Sequence, residues 1–158
     1  MIHPTTMPLV DLERYTGKWY EVCKLPIIYE RGCDSATAKY TLDNKGMINV
    51  VNKCYKMGKK MWETEGKAFL SKEHMHEPGK LTVKFSAESG GNQGDYWLHW
   101  TDYDNYAVVG SPTGQFLWIL SREERISKYE MDCLLVYVGV LGYDTDSLIF
   151  SDYIQFLQ

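Results

Sequence analysis

The chain has 158 residues, and its 17 Lys and Arg residues against 21 Asp and Glu residues give a formal net charge of −4 at neutral pH. This length favours a single domain, and the mild acidity argues against a nucleic-acid-binding protein and against docking on anionic lipid by net charge. The 44% of apolar residues and 24% of charged residues are typical of a globular protein and exclude a wholly disordered chain.

Residues 1–8 contain neither the basic nor the apolar region of a signal peptide, and no stretch approaches the 18 apolar residues of a membrane-spanning helix. As written, the sequence therefore predicts a cytoplasmic protein. A secreted or periplasmic protein is the alternative if a leader has been removed. The four cysteines form no C-x-x-C pair, which argues against a zinc site.

Most of the chain alternates apolar and polar residues with the two-residue period of β-strands. Strands are predicted, in chain order, over residues 19–23, 36–42, 48–52, 61–70, 81–85, 96–103, 106–110 and 116–121. Short stretches rich in Gly, Pro, Asp and Asn separate most of them, as in hairpin connections. Because such a meander has an exposed edge at each end unless it closes, we expect an all-β fold. Its centre is an eight-stranded antiparallel up-and-down β-barrel, a calyx, over about residues 17–122.

From Ile126 the apolar period changes to the three- and four-residue steps of a helix. The residues that recur on this spacing are Ile126, Tyr129, Cys133, Tyr137, Val140 and Leu141. Gly142 is a helix stop. One C-terminal α-helix over about residues 126–141 is therefore predicted to pack outside the barrel. Residues 143–158 form an extension that packs or adds an edge strand, so residues 1–158 make one domain.

Three motifs occur in order along the predicted strands. Gly17-x-Trp19 begins the first strand, Thr101-Asp102-Tyr103 turns between the sixth and seventh strands, and Arg122 ends the last strand. Together they resemble the signature motifs of the lipocalins, from about residue 10 to about residue 143. Longer strings resemble bacterial outer-membrane lipocalins, plant temperature-induced lipocalins and apolipoprotein D; they are Tyr29–Cys33, Ile48–Asn52, Glu65–Ala68 and Gly94–Trp97.

The resemblance implies a calyx that is closed at one end and holds a lipophilic ligand. In this family Trp19 plugs the closed end and Arg122 lies across its ring, an arrangement that a cation–π contact would stabilise. The same resemblance gives structural roles to Gly17, Thr101, Asp102 and Tyr103. Bacterial members usually carry an acylated cysteine, and nothing before Cys23 supplies one, so membrane anchoring is not carried over.

Related lipocalins direct aromatic residues toward the ligand at positions that match Tyr40, Trp97 and Trp118. This match makes the odd-numbered residues of the sixth strand inward. With strand alternation, the predicted ligand-binding residues are Tyr40, Val50, Asn52, Trp97, His99, Phe116 and Trp118. We expect binding and transport or buffering of a fatty acid or lysophospholipid, with no catalysis and no cofactor. A barrel filled by its own side chains, acting as a protein-interaction module, is the alternative.

Three further residue types suggest other chemistry. Cys23 could be the cavity thiol of a lipocalin-type isomerase, although no partner base is identifiable and a small buried hydrophobe is favoured. His99 could ligate haem or bind a ligand carboxylate. His74 and His76 have the spacing of a metal clamp, but they lie in a polar loop without a third ligand, so no metal is expected.

Cys33 and Cys54 flank the hairpin of the second and third strands. With the turn centred between residues 44 and 45, Cys54 lies opposite residue 35, two residues from Cys33. A disulfide and two free thiols therefore both stay open, and a disulfide would require an oxidising compartment.

Residues 56–60 and 89–94 are expected to frame the mouth, where lysines could meet an anionic headgroup. The expected partners are a small lipophilic ligand and no nucleic acid, membrane-surface contact is left open, and the chain is a monomer or weak homodimer.

Overall fold

Eight strands follow one another along the chain, each antiparallel to the next. In the computed structural model, which describes residues 5–27 and 32–157, they are β1 (Gly17–Lys24), β2 (Ser35–Leu42), β3 (Ile48–Lys56), β4 (Lys59–Leu70), β5 (Lys80–Phe85), β6 (Gln93–Thr101), β7 (Tyr106–Gly110) and β8 (Leu117–Ser121). Residues 1–4 and residues 29–31 of the Tyr29–Cys33 string lie outside the described residues. The predicted strands agree with these bounds within a few residues.

Pairing of β1 with β8 closes the sheet into a barrel. Tyr20 lies opposite Ser121 and Lys24 lies opposite Trp118, while β8 also pairs with β7 on its other side. The all-β, eight-stranded closed barrel predicted from alternation is therefore confirmed. Closure removes the two free edges that an open meander would present.

The remaining elements surround the barrel. They are the short helix α1 (Leu12–Tyr15), β9 (Arg125–Ser127), the helix α2 (Lys128–Leu141), β10 (Ile149–Phe150) and β11 (Gln155–Leu157), with 3-10 turns at Lys72–His74, Ala87–Ser89 and Thr145–Ser147. β10 adds to β1 in the register Cys23 opposite Phe150, and β11 runs parallel to β9. The C-terminal extension thus adds short strands at two places.

Strand alternation separates two apolar cores. The core inside the barrel includes Trp19, Tyr40, Val50, Leu98, Val109 and Leu120. The second core lies between the barrel wall and α2 and includes Val22, Cys23, Val108, Ile119, Met131 and Val138. Successive residues of β7, Val108 and Val109, are both almost fully buried yet belong to different cores. The strands that run beneath α2 are therefore covered on both faces.

The helix α2 packs through a face that only partly agrees with the predicted one, since Leu141 is buried as predicted. Its buried residues are Met131, Leu134, Val138 and Leu141, whereas Tyr129 and Val140 are each 77% exposed and Cys133 is exposed. The helix is apolar on two faces, so spacing alone could not choose between them. Neither helix of the described chain has the length and apolar character needed to cross a bilayer.

Trp19 and Arg122 form the closed end of the barrel. The Trp19 ring is fully buried, and the Arg122 guanidinium carbon lies 3.7 Å from its centroid. The guanidinium also donates to the carbonyl oxygens of Tyr103 at 2.8 Å, Lys18 at 3.0 Å and Arg14 at 2.9 Å. One side chain thus joins the β6–β7 turn, the start of β1 and α1.

The Thr101-Asp102-Tyr103 motif shapes the turn that reaches Arg122. Asp102 Oδ1 accepts from the backbone N–H groups of Asn105 at 2.8 Å and Tyr106 at 2.9 Å. Tyr103 has a φ of +67°, in the left-handed region, and its carbonyl oxygen accepts from Arg122. The motif residues therefore hold a strained turn in place against the closed end.

Replacing Arg122 tests this network. Arg122→Ala removes the cation–π contact and leaves several carbonyl oxygens without their donor, so we expect a loss of about 3 kcal/mol in the free energy of unfolding. Arg122→Lys keeps the charge but cannot reproduce the fork of donors, so it should recover only part of the loss. Urea denaturation measures both. A loss below about 1 kcal/mol in Arg122→Ala would show that the closed end does not depend on this residue.

Candidate ligand-binding cavity

The barrel encloses a cavity of about 580 Å³. Residues from the β1–β2, β5–β6 and β7–β8 connections frame its mouth, among them Ile27, Asn92 and Gln115, and Trp19 closes the opposite end. An eight-stranded barrel is just wide enough for one small ligand. The volume is also within the range of small-molecule sites, and a barrel filled by its own side chains would not leave this space.

Apolar side chains form most of the cavity wall. They include residues of β2, β3, β5, β7 and β8 and the residue before β8: Ala38, Val50, Val83, Phe85, Val109, Phe116, Trp118 and Leu120. The rings of Phe116 and Trp118 are stacked, with centroids 6.1 Å apart and planes 13° from parallel. This flat aromatic surface offers a large contact area with few rotatable bonds.

A cluster of phenols lies at the deep end of the cavity. Tyr96 donates to the Tyr40 hydroxyl at 2.8 Å, and the Tyr15 and Tyr96 hydroxyls are 2.5 Å apart. Tyr40 and Tyr96 line the cavity, whereas Tyr15 comes from α1. Burial raises the pKa of all three phenols, so the cluster remains neutral at physiological pH. It can give or accept hydrogen bonds without placing a charge in the barrel.

Charged groups are few on the wall. Glu21 is 9% exposed and lines the cavity, and its carboxylate lies 3.4 Å from Lys24 Nζ in a pair whose side chains are each 10% exposed. Lys53 from β3 and Asp95 from β6 also line the cavity, and Lys53 Nζ lies 3.9 Å from a Glu63 carboxylate oxygen. Lys56, Lys59 and Lys60 do not line it.

Five of the seven predicted ligand-binding residues line the cavity: Tyr40, Val50, Asn52, Phe116 and Trp118. Trp97 and His99 do not, and their predicted orientation is corrected. Tyr96 and Leu98 face the interior instead, which leaves Trp97 outside with Lys80 Nζ 4.6 Å from its ring. The match to related lipocalins made the odd-numbered residues of β6 inward, whereas the even-numbered residues Tyr96 and Leu98 face the interior. Tyr96 lies opposite Leu81, whose side chain belongs to the core inside the barrel. Taking the inward face of β6 from its partner strand β5 would therefore identify Tyr96 as an inward residue.

His99 lies outside the barrel in a buried hydrogen-bond network. A bulge between Leu98 and Trp100 interrupts the alternation at this point. His99 Nδ1 is 2.5 Å from the Thr5 carbonyl oxygen and Nε2 is 2.6 Å from the Tyr143 hydroxyl, which also contacts the backbone of Ser111. Both ring nitrogens are therefore engaged away from the cavity, and the hypothesis of haem ligation through His99 is corrected.

Cys23 is also placed outside the cavity. A bulge between Glu21 and Cys23 breaks the alternation of β1, so Glu21 faces the cavity while Cys23 is fully buried in the core beneath α2. Burial, with Glu21 nearby, raises the pKa of the thiol far above its usual value. The hypothesis of a cavity thiol is corrected, because this sulfur neither reaches the cavity nor ionises at neutral pH.

Cys33 and Cys54 form a disulfide at the mouth end of β3. Cys54 pairs with Ala36, one residue from the predicted register. The bridge and the Asp34 N–H donation to the Tyr55 carbonyl at 3.0 Å fix the end of the β1–β2 connection to β3.

His74 contacts Glu77 at 3.3 Å, and the residues described here contain no group of three or more His, Cys, Asp or Glu side chains able to hold a metal ion.

The chain is similar in sequence to known lipocalins. A family model described as a lipocalin-like domain matches residues 10–152. The outer membrane lipoprotein Blc of Vibrio cholerae is 36% identical over 143 residues, which cover 89% of this chain and 81% of that protein. Temperature-induced lipocalin-1 of Arabidopsis thaliana is 34% identical over 146 residues, which cover 88% and 77%. The resemblance that the three motifs indicated is confirmed.

A solved structure supports the fold, and one relative corrects the predicted location. Insecticyanin of the tobacco hornworm Manduca sexta superposes with a TM-score of 0.69 at 21% identity, over 99% of this chain and 88% of that chain. The prediction of a cytoplasmic protein is wrong, because the Vibrio cholerae relative is by name an outer membrane lipoprotein.

The buried His99 network predicts a pH dependence of stability. Burial lowers the pKa of His99, so the unfolded chain binds more protons than the folded chain below about pH 6.5. Stability should therefore fall as the pH falls from about 6.5 through the folded-state pKa, by at most about 1.4 kcal/mol per pH unit for this residue. In His99→Gln this part of the slope should disappear. Unfolding free energies from urea titrations between about pH 7.5 and 5.5 measure it; equal slopes in the two proteins would contradict it.

The four cysteines should react differently with iodoacetamide. Cys133 is exposed, Cys23 is buried with a raised pKa, and Cys33 and Cys54 are bridged. We expect the native, unreduced protein to gain one adduct, on Cys133, and to gain a second on Cys23 only after unfolding. Peptide mass spectrometry identifies the sites. Rapid modification of Cys23 in the folded protein would instead reveal an accessible thiolate.

Proposed function

The chain belongs to the lipocalin family, and we propose that it binds a fatty acid or a lysophospholipid in the barrel cavity and carries or buffers it without catalysis. The observation that carries this proposal is the cavity of about 580 Å³, open at one end, walled by aliphatic and aromatic side chains, and closed by a fully buried Trp19. A cavity of this shape favours a long apolar group that enters from the mouth.

The apolar wall provides the binding free energy. Burying a sixteen-carbon chain at about 0.8 kcal/mol per methylene gives roughly 12 kcal/mol before immobilisation costs. Those costs reduce the net value to a Kd in the micromolar range or below. The stacked Phe116 and Trp118 rings would contact the chain, and the Tyr40 and Tyr96 hydroxyls would meet its far end.

Charge favours one orientation of an amphiphile. Lys53 is near the mouth end of β3 and Asp95 is near the mouth end of β6, whereas the deep end carries neutral phenols and the carboxylate of Glu21 is paired with Lys24. A polar headgroup is therefore favoured at the mouth, where Lys53 offers a positive charge to a carboxylate or phosphate, with the alkyl chain inside. Neutral phenols at the deep end tolerate a chain terminus without repelling a charge.

We also propose that this binding takes place outside the cytoplasm. The Cys33–Cys54 bridge supports this location because disulfides persist in oxidising compartments. The Vibrio cholerae relative, an outer membrane lipoprotein by name, supports it independently.

A pair of tryptophan variants tests the cavity assignment. Trp118 lines the cavity and Trp97 lies outside it, so Trp118→Ala should weaken binding of a fluorescent fatty acid at least tenfold while Trp97→Ala leaves the affinity within about twofold. Thermal unfolding of both variants checks that each is folded. Equal weakening by the two variants, or by neither, would contradict binding inside the barrel.

Native mass spectrometry of the purified protein then identifies the ligand class. We expect a bound mass that organic extraction resolves into a fatty acid or lysophospholipid. A protein that carries no lipid and binds no added fluorescent fatty acid would overturn the proposal.

A further inference from the structure

We propose that the tip of the β3–β4 hairpin docks the mouth of the barrel onto the surface of an anionic phospholipid bilayer. The docking surface, called the basic tip below, consists of residues 53–63. This role goes beyond binding inside the cavity, because it concerns where the protein sits when it exchanges its ligand.

The basic tip has a charge opposite to that of the whole chain. It contains four lysines, Lys53, Lys56, Lys59 and Lys60, and one acidic residue, Glu63, whereas the chain has a net charge of −4. Lys56, Lys59 and Lys60 are exposed. Clusters of four or more basic residues are typical of sites that bind anionic lipid surfaces. The neighbouring Asp34 carboxylate accepts from the Met57 N–H at 2.8 Å, so part of its charge is directed at the backbone.

Exposed methionines accompany these lysines. Met57 is 80% exposed and Met61 is 57% exposed. Met57 and Gly58 form the two-residue turn between the paired residues Lys56 and Lys59, and Met57 has a φ of +52°, where Gly or Asn is usual. The chain thus places a long apolar side chain at a position that disfavours it and leaves it in solvent. Apolar side chains among lysines suit the boundary between headgroups and acyl chains.

The basic tip is far from the charges at the closed end, although Glu88 and Asp95 lie at the mouth. β4 runs 12 residues from the tip to the closed end, roughly 40 Å at about 3.3 Å per residue. This length is several times the Debye length of about 8 Å at physiological ionic strength, so charges at the closed end are screened from a surface at the mouth.

Docking through the basic tip would bring the cavity mouth to the bilayer. Lys53 and Trp62, at the two ends of the tip, line the cavity. Nearby, the Cys33–Cys54 bridge and the Asp34 contacts hold the end of the β1–β2 connection against the same hairpin. A ligand leaving the bilayer would therefore enter the cavity beside the residues that touch the lipid.

Vesicle flotation tests the proposal. The wild-type chain should float with vesicles of phosphatidylcholine and phosphatidylglycerol, bind weakly to phosphatidylcholine alone, and dissociate at about 1 M salt, where the Debye length is about 3 Å. The triple variant Lys56→Gln, Lys59→Gln, Lys60→Gln should lower the partition coefficient on the order of 100-fold, since each lysine near such a surface contributes about fivefold. The matched control Lys39→Gln, Lys45→Gln, Lys72→Gln changes charge equally at exposed positions elsewhere and should behave as wild type.

The methionine is tested separately. Met57→Asn suits the left-handed turn but removes the apolar side chain, so it should weaken partitioning on the order of tenfold without weakening the fold. Affinity for a fluorescent fatty acid, measured without vesicles, should be unchanged in all three variants because none of the substituted residues lines the cavity. This measurement separates loss of docking from loss of ligand binding.

Three results would overturn the docking proposal. One is no flotation of the wild-type chain with anionic vesicles, and another is equal loss in the triple variant and its matched control. The third is equal binding to neutral and anionic vesicles. Binding of the basic tip to an acidic protein without any affinity for vesicles would identify a different partner and would also overturn it.

Discussion

The antiparallel pairing of β1 with β8 is the constraint on which the rest of the molecule depends. It closes the sheet, so every strand between them has a fixed inner and outer side. The inner side holds the cavity and the phenol cluster, and the outer side packs beneath α2. Arg122 secures this closure where β8 ends, because it lies against Trp19 of β1 and binds three backbone carbonyls from other segments.

The strands and the closed barrel could be predicted because a two-residue period survives over whole strands. Side-chain direction could not be predicted where a bulge inserts an extra residue. In β1 the bulge follows Glu21 and moves Cys23 from the cavity to the outer core. Nothing in the local composition marks this bulge. In β6 alternation holds from Tyr96 to His99, and the wrong orientation came from the match to related sequences. The tertiary contacts of His99 with Thr5 and Tyr143 join residues 94 and 44 positions apart, beyond the range of any periodicity.

The helix and the disulfide show a second limit of sequence reasoning. α2 carries apolar residues on two faces, and the barrel wall selects the face containing Met131 and Leu134. The Cys33–Cys54 bridge depends on strand register, and a shift of one residue alters which positions meet. Residue spacing along the chain limits which helix face is buried and which cysteines can meet. Packing between distant segments then decides between the remaining arrangements.

The short strand β10 has a consequence for association between molecules. β1 pairs with β2 only as far as Tyr20, so its far end would present unpaired backbone groups. β10 pairs with Cys23 and Lys24, and the Ser151 N–H donates to the Val22 carbonyl at 2.9 Å. These few residues shield one stretch of the barrel where another chain's strand could add. The C-terminal extension therefore protects this stretch of the barrel against strand exchange and aggregation, a property quite separate from what the cavity holds.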